Sequence, residues 1–355
     1  HHQFPAVDDC GGSVSVFPMS ETQPSLFPAA PSRKTFWSHL TSPRWRWMLL
    51  VGVGTVLIFA ASLGFGRSAK TQFDLTRYNI PLDQIVEGGP AKDGIPAILV
   101  PRFVTANDAA YLADEDRVLG LSLETETKAY PIKILNWHEV VNDRVGGKDV
   151  LISYCPLCGT GMAFDSTIKG LPHTFGVSGL VYQSNVLMYD HQTESLWSQI
   201  GMQAVTGPLT GEKLAPIFLE HTTWAEWRAA HPSTLVLATK TSLFRNYDRD
   251  PYTGYAENRE LFFDTAHFDP SYHPKEWVVG IELNGVEKAY PFAEIKKVRS
   301  PISDQLGGQA ITIHFNPQSR SASVTDADGK PLPSVMAYWF AWYTFHPKTK
   351  IFTAP

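Results

Sequence analysis

Cysteine is nearly absent from this chain, with three residues in 355, at positions 10, 155 and 158. No disulfide framework can staple such a sequence, so its stability has to come from apolar burial and from any metal it holds. Long basic runs are missing beyond residue 67, and the formal net charge is −5. Neutralising phosphates needs a clustered basic face, so no nucleic-acid partner is expected. The chain also lacks G-x-S-x-G, H-E-x-x-H, a P-loop and a dinucleotide fingerprint, which removes the common hydrolase signals and any nucleotide cofactor. Gly159 follows the second cysteine of the pair, where covalent haem attachment needs histidine, so haem is not expected either.

What is present begins with an uncharged apolar run, Trp47 through Gly66, preceded by Arg33, Lys34, Arg44 and Arg46. About 20 apolar residues suffice to cross a bilayer, and the positive-inside rule places everything after Arg67 outside the cytoplasm. We therefore expect three segments. Residues 1–44 read as a leader, disordered or wrongly assigned to the chain, and 45–67 as a transmembrane segment or signal anchor. Residues 75–355 read as an exported β-rich domain, periplasmic or extracellular and tied to the membrane by the N-terminal segment. Small residues at Ser62, Gly64 and Ala69 keep cleavage open as an alternative to anchoring.

Cys155 and Cys158 stand in Tyr154-Cys155-Pro156-Leu157-Cys158-Gly159. The C-P-x-C-G form resembles the knuckle of zinc ribbons and rubredoxins, in which a tight turn aims two sulfurs at one ion. A ribbon has two knuckles and this chain has one, so further ligands would come from other residue types. Met162 is one candidate, since two thiolates and a thioether suit monovalent copper; its bland reading is core, alternating with Phe164. His138 is the other. We expect it to open a strand that pairs back, through the Gly146-Gly147 hairpin, with the strand ending at Cys155, as ligand or general base; its bland reading is a structural hydrogen-bonder. His173, Asp190 and His191 are weaker candidates, with turn chemistry as the plainer account of the Asp-His pair. Ser184, Asn185, Ser195, Ser198 and Gln199 set polar groups among aromatics, a pattern that fits a polar ligand and equally fits satisfied hairpins.

A repeat is also legible. Lys128-Ala129-Tyr130-Pro131 returns as Lys288-Ala289-Tyr290-Pro291, and Asp143-Arg144-Val145-Gly146-Gly147 returns as Asp304-Gln305-Leu306-Gly307-Gly308. The repeat units lie at about 117–165 and 277–327, with a β-rich insert between them. In that insert we place a helix over 222–228, capped by Thr222 or Thr223 with Glu226 in its first turn. A long surface loop is expected over 245–274. The fold class is mainly β with short helices (α+β), built on a duplicated β-hairpin and short-helix unit. In the second copy Asn316 stands opposite Cys155, Ser319 opposite Cys158 and Val298 opposite His138, so the chemistry belongs to the first.

Taken together, 135–143, 154–161 and the two stretches 176–180 and 190–199 resemble the prokaryotic domain-of-unknown-function 3179 family. The resemblance covers most of the chain after about residue 75. It implies a family and no catalytic residue, so the functional expectation rests on the residues. That expectation is a copper or zinc ion held by Cys155, Cys158, His138 and Met162, with a metal-handling or redox role. One alternative is an envelope enzyme using a cysteine nucleophile or redox dithiol with a histidine base. Another is a non-catalytic envelope module that binds an envelope protein or a small polar ligand.

Overall fold

A computed structural model describes residues 68–241 and 245–355. The expected leader and apolar segment lie outside the described residues. Among the described residues, no helix is long and apolar enough to cross a membrane. Packing among the described residues begins at Ala69, a few residues before the expected domain start. Ala69 and Phe73 are buried in one cluster with Ile85, Leu180 and Leu187.

The chain is mainly β, with a few short helices, and its duplication is visible strand by strand. In the first copy the hairpin Arg117–Leu123 with Glu126–Pro131 is flanked by Glu220–Thr223 and Leu235–Leu237, with Phe103–Thr105 at the edge. In the second, Trp277–Leu283 with Val286–Pro291 is flanked by Val335–Tyr338 and Lys350–Ile351. Each copy adds a second sheet. Val140–Val145, Lys148–Cys155, Thr160–Asp165 and Ala215–Ile217 match Ile302–Leu306, Gln309–Asn316, Ser321–Thr325 and Pro331–Leu332. Side chains two apart on a strand share a face, so Lys128 and Tyr130 both reach Asp143, at 3.1 and 2.7 Å. Lys288 and Tyr290 reach Asp304 in the same way, at 2.5 and 2.7 Å. That is why Lys-Ala-Tyr and the downstream aspartate recur together: the pair closes a polar triad, buried or partly buried, over the junction of the two sheets.

One boundary differs from expectation. The helix Trp224–Ala230 is part of the first copy rather than of the insert, because Trp339–Phe345 occupies the same place in the second. Trp227 Nε1 donates to Thr234 Oγ1 at 2.9 Å and its ring lies 4.0 Å from His231. Trp342 Nε1 donates to Thr349 Oγ1 at 2.9 Å and its ring stacks on His346 at 3.8 Å. Thr223 caps the first helix by accepting from Glu226 N, as the sequence predicts. The true insert is the sheet formed by Phe175–Tyr182, Asn185–Asp190, Leu196–Ser198 and Gln203–Thr206, extended by Ile85–Glu87, together with the small ribbon Thr167–Ile168 and Leu171–Pro172. Its buried face shares one core cluster with both cysteines, Trp197, Trp339 and Trp342.

Candidate functional site

Lys148–Cys155 runs into a tight turn and returns as Thr160–Asp165, with Cys155 paired to Thr160. Cys158 N donates to Cys155 O at 3.1 Å, Thr160 Oγ1 donates to Cys158 O at 3.1 Å, and Tyr338 N, from the second copy, donates to the same carbonyl at 2.8 Å. Gly159 closes the turn at φ 62°. A Cβ there would meet the Trp277 ring at 2.7 Å and Tyr338 at 3.0 Å, so the turn needs glycine for both reasons. Both thiols are free and buried.

The insert supplies the groups around them. Gln183 and Ser184 form the hairpin tip, which places Asn185 beside Cys158. Asn185 Nδ2 donates to Cys158 Sγ at 3.4 Å and to Gln199 Oε1 at 2.8 Å. Gln199 Nε2 in turn donates to Ser153 Oγ and to Thr160 O. Cys158 donates to Ser184 O at 3.4 Å, and Ser184 Oγ is buried without a partner.

The two sulfurs are electrostatically unlike. Burial pushes the Cys155 thiol up, but donors from the Cys158 thiol, from Val186 N and Cys158 N and from the Asn185 amide outweigh it, leaving Cys155 below the usual thiol range. Burial holds Cys158 well above that range, reinforced by the neighbouring Cys155 sulfur. Cys155 is thus the sulfur that ionises and Cys158 the one that keeps its proton.

The residue turned toward the thiols is Glu139, where we expected His138. His138 does not begin a strand: it ends the helix Ile132–His138, and its ring nitrogens lie 2.7 Å from Pro96 O and 2.7 Å from Tyr247 Oη. Burial lowers its pKa, so the ring tends to stay neutral in that structural role. Glu139 follows at φ 57°, ψ −33°, outside the regions that L-residues ordinarily occupy. Its amide donates to Leu135 O and its carbonyl accepts from Tyr154 N, both at 2.7 Å, so the backbone is held in this conformation from both sides. Burial raises the Glu139 carboxyl to about 8, with the nearby Cys155 adding to the rise and a hydrogen bond with Tyr252 opposing it.

Glu139, Cys155 and Tyr252 line a cavity of about 190 Å³ whose other walls include Val186, Phe262 and Phe263. Cys158 is not among its lining residues. Tyr252, Phe262 and Phe263 come from the long loop we expected at the surface; part of it instead covers the site.

Met162 pairs with Ser153 and so shares the sheet face of Cys155; it is buried in the same cluster. Asp190 is occupied by Thr193 and Trp197 Nε1, which is turn chemistry. His173 and His191 are engaged with Leu171 O and Thr174 Oγ1. Among the described residues no His, Asp or Glu joins the two thiols in a group whose ligand atoms lie within 4.8 Å of one another; the one such group of three is Glu282, Glu287 and His346.

The profile of the family described as "Protein of unknown function (DUF3179)" matches residues 92–349. The chain belongs to the DUF3179 family. No curated protein and no solved structure matches it. The DUF3179 match takes in both cysteines, Glu139, Asn185, Gln199 and Tyr252, along with nearly all of both copies.

Proposed function

We propose that this DUF3179 protein is a thiol–disulfide oxidoreductase acting outside the cytoplasmic membrane, with Cys155 attacking and Cys158 resolving. The observation that carries the reading is the asymmetry of the pair: the lower-pKa sulfur lines the cavity and the higher-pKa sulfur lies behind it, beside a buried carboxyl. The Cys155 thiolate attacks one sulfur of a substrate disulfide, forming a mixed disulfide and expelling the other sulfur. Protonated Glu139 supplies the proton that the leaving thiolate takes. The resulting Glu139 carboxylate accepts the Cys158 proton, and the Cys158 thiolate attacks Cys155 Sγ. An internal disulfide forms and the second substrate thiolate leaves. Two electrons have passed from the dithiol to the substrate, and the cycle runs backwards on a dithiol substrate.

A second reading uses the same sulfurs. The turn N–H donors and the shared face of Met162 suit monovalent copper, which accepts soft, low-coordinate sites. Zinc, which ordinarily takes four ligands, is less well served by this donor set. Alkylation with iodoacetamide across a pH series, mapped by mass spectrometry, tests the first reading. Modification of Cys155 alone, with a midpoint below that of a free thiol, is expected. Equal labelling of both thiols, or a midpoint at or above the free-thiol value, would contradict it. Stoichiometric copper lost in Cys155→Ser/Cys158→Ser would move the second reading ahead.

A further inference from the structure

On the other side of Pro156 and Tyr252 lies a second cleft, of about 250 Å³, built jointly by the two copies. Drug-sized ligands occupy roughly 300–1,000 Å³, so this cleft suits a smaller molecule. Arg117 stands at its base, fixed by donating to the carbonyls of Ser319 and His221. Arg320 reaches it from the surface. Among the described residues neither guanidinium forms an ion pair. Two carboxylates stand nearby, Glu226 acting on Arg117 and Asp250 in the cleft wall, and both are engaged in hydrogen bonds. Glu226 accepts from Asn316, Ser321 and Thr222, and Asp250 accepts from Asn136 Nδ2 and Tyr252 N. Burial lowers the Arg117 pKa to about 10, and the neighbouring Arg320 charge adds to the fall. The Glu226 charge offsets only part of this fall, so a buried cation with no ion pair is costly and an entering anion would relieve it.

One further polar atom is left for a ligand. His221 Nδ1 is buried without a hydrogen-bond partner, and the residue, 4% exposed, lines the cleft. The walls are aromatic. Trp277 lies 4.7 Å from Tyr338 and 5.4 Å from His221, centroid to centroid.

We propose that this cleft binds a small aromatic carboxylate, its carboxylate held by Arg117 and Arg320 and its ring against Trp277 and Tyr338. The site does not depend on the thiol chemistry. Benzoate is the probe, with inorganic phosphate as an anion that has no ring, each titrated calorimetrically into the full chain. Saturable benzoate binding is expected, with a Kd on the order of 1 mM or tighter. Arg320 is exposed, so Arg320→Gln should fold, as its melting temperature would show, and should weaken benzoate at least about tenfold. Arg320→Lys should recover part of the loss. Cys155→Ser/Cys158→Ser should bind benzoate as the wild type does, which separates failure of this proposal from failure of the thiol reading. No saturable benzoate binding, wild-type affinity in folded Arg320→Gln, or phosphate binding as tightly as benzoate would each overturn it.

Discussion

Two turns occupy equivalent places in the two copies. Cys155-Pro156-Leu157-Cys158-Gly159 and Asn316-Pro317-Gln318-Ser319-Arg320 both follow the second strand of a sheet, both carry proline second, and both end at positive φ, 62° at Gly159 and 45° at Arg320. The second turn consumes its own polar atoms. Asn316 Oδ1 accepts from Gln318 N and Ser319 N, its amide donates to Glu226, and Ser319 Oγ lies 2.8 Å from Ser321 Oγ. The first turn instead presents one sulfur to a cavity and sets a buried carboxyl near it. The backbone shape therefore does not require thiols, and their presence in one copy calls for a chemical reason.

The largest effect should follow from removing that difference. Cys155→Ser/Cys158→Ser is expected to reduce thiol–disulfide exchange to the uncatalysed background while lowering stability by about 1–3 kcal/mol for each buried hydroxyl that finds no partner. Insulin reduction and urea denaturation measure the two quantities. A variant that keeps its exchange rate would break the comparison.

Glu139 sharpens it next. Its ordinary value is 4.5 and its value in the fold is about 8. Because the folded value is raised, its contribution to stability is fully present below pH 4.5 and is lost as pH rises through 8. The span corresponds to a few kcal/mol. The stability of wild type minus that of Glu139→Gln should therefore fall between pH 4.5 and 8.5 in urea titrations. A flat difference would mean that the carboxyl is not desolvated beside the thiols.

Two pairs of equivalent positions probe the shared scaffold. A Cβ at Gly120 would meet the Trp227 ring at 2.2 Å, and one at Gly280 the Trp342 ring at 2.3 Å. Gly120→Ala and Gly280→Ala should each cost about 1–3 kcal/mol by overpacking, and by similar amounts if the copies are structurally equivalent. The turns themselves should differ. Gly159→Ala adds a clash with Trp277 to an unfavourable φ and should cost about 1–3 kcal/mol. Arg320→Gly relieves a positive-φ side chain but gives the unfolded chain more freedom, so its effect should stay below about 1 kcal/mol. Thermal and urea denaturation of the four variants would check this.

Much of the scaffold was legible in the sequence, because the triad of Lys128, Tyr130 and Asp143 and its twin leave a repeated pattern of residue types. The later half of the repeat was written there too, as Trp-x-x-Trp-x-x-x-His-Pro at 224–232 and 339–347. The extra sheet in the first copy shifts its offset from 160 (288 − 128) to 115 (339 − 224) residues, which hides it from a single-period repeat. At the site, the cysteines, Met162, Asn185 and Gln199 could be picked out by type. That Asn185 donates to Cys158 could not, since the contact arises where one sheet packs on another. The exchange of His138 for Glu139 has a local cause: the helix runs to His138, and the unusual backbone at the next residue turns the carboxyl toward the thiols, which no periodicity announces.

The central claim is that Cys155 and Cys158 interconvert between dithiol and disulfide within one folded chain. The most direct measurement equilibrates the full chain with glutathione at graded reduced-to-oxidised ratios under metal-free conditions, followed by quenching and mass mapping of the 155–158 peptide. We predict one two-electron transition to an internal Cys155–Cys158 disulfide, lost in either single serine variant. Thiols that stay reduced across the series, or that end as separate glutathione adducts, would contradict it.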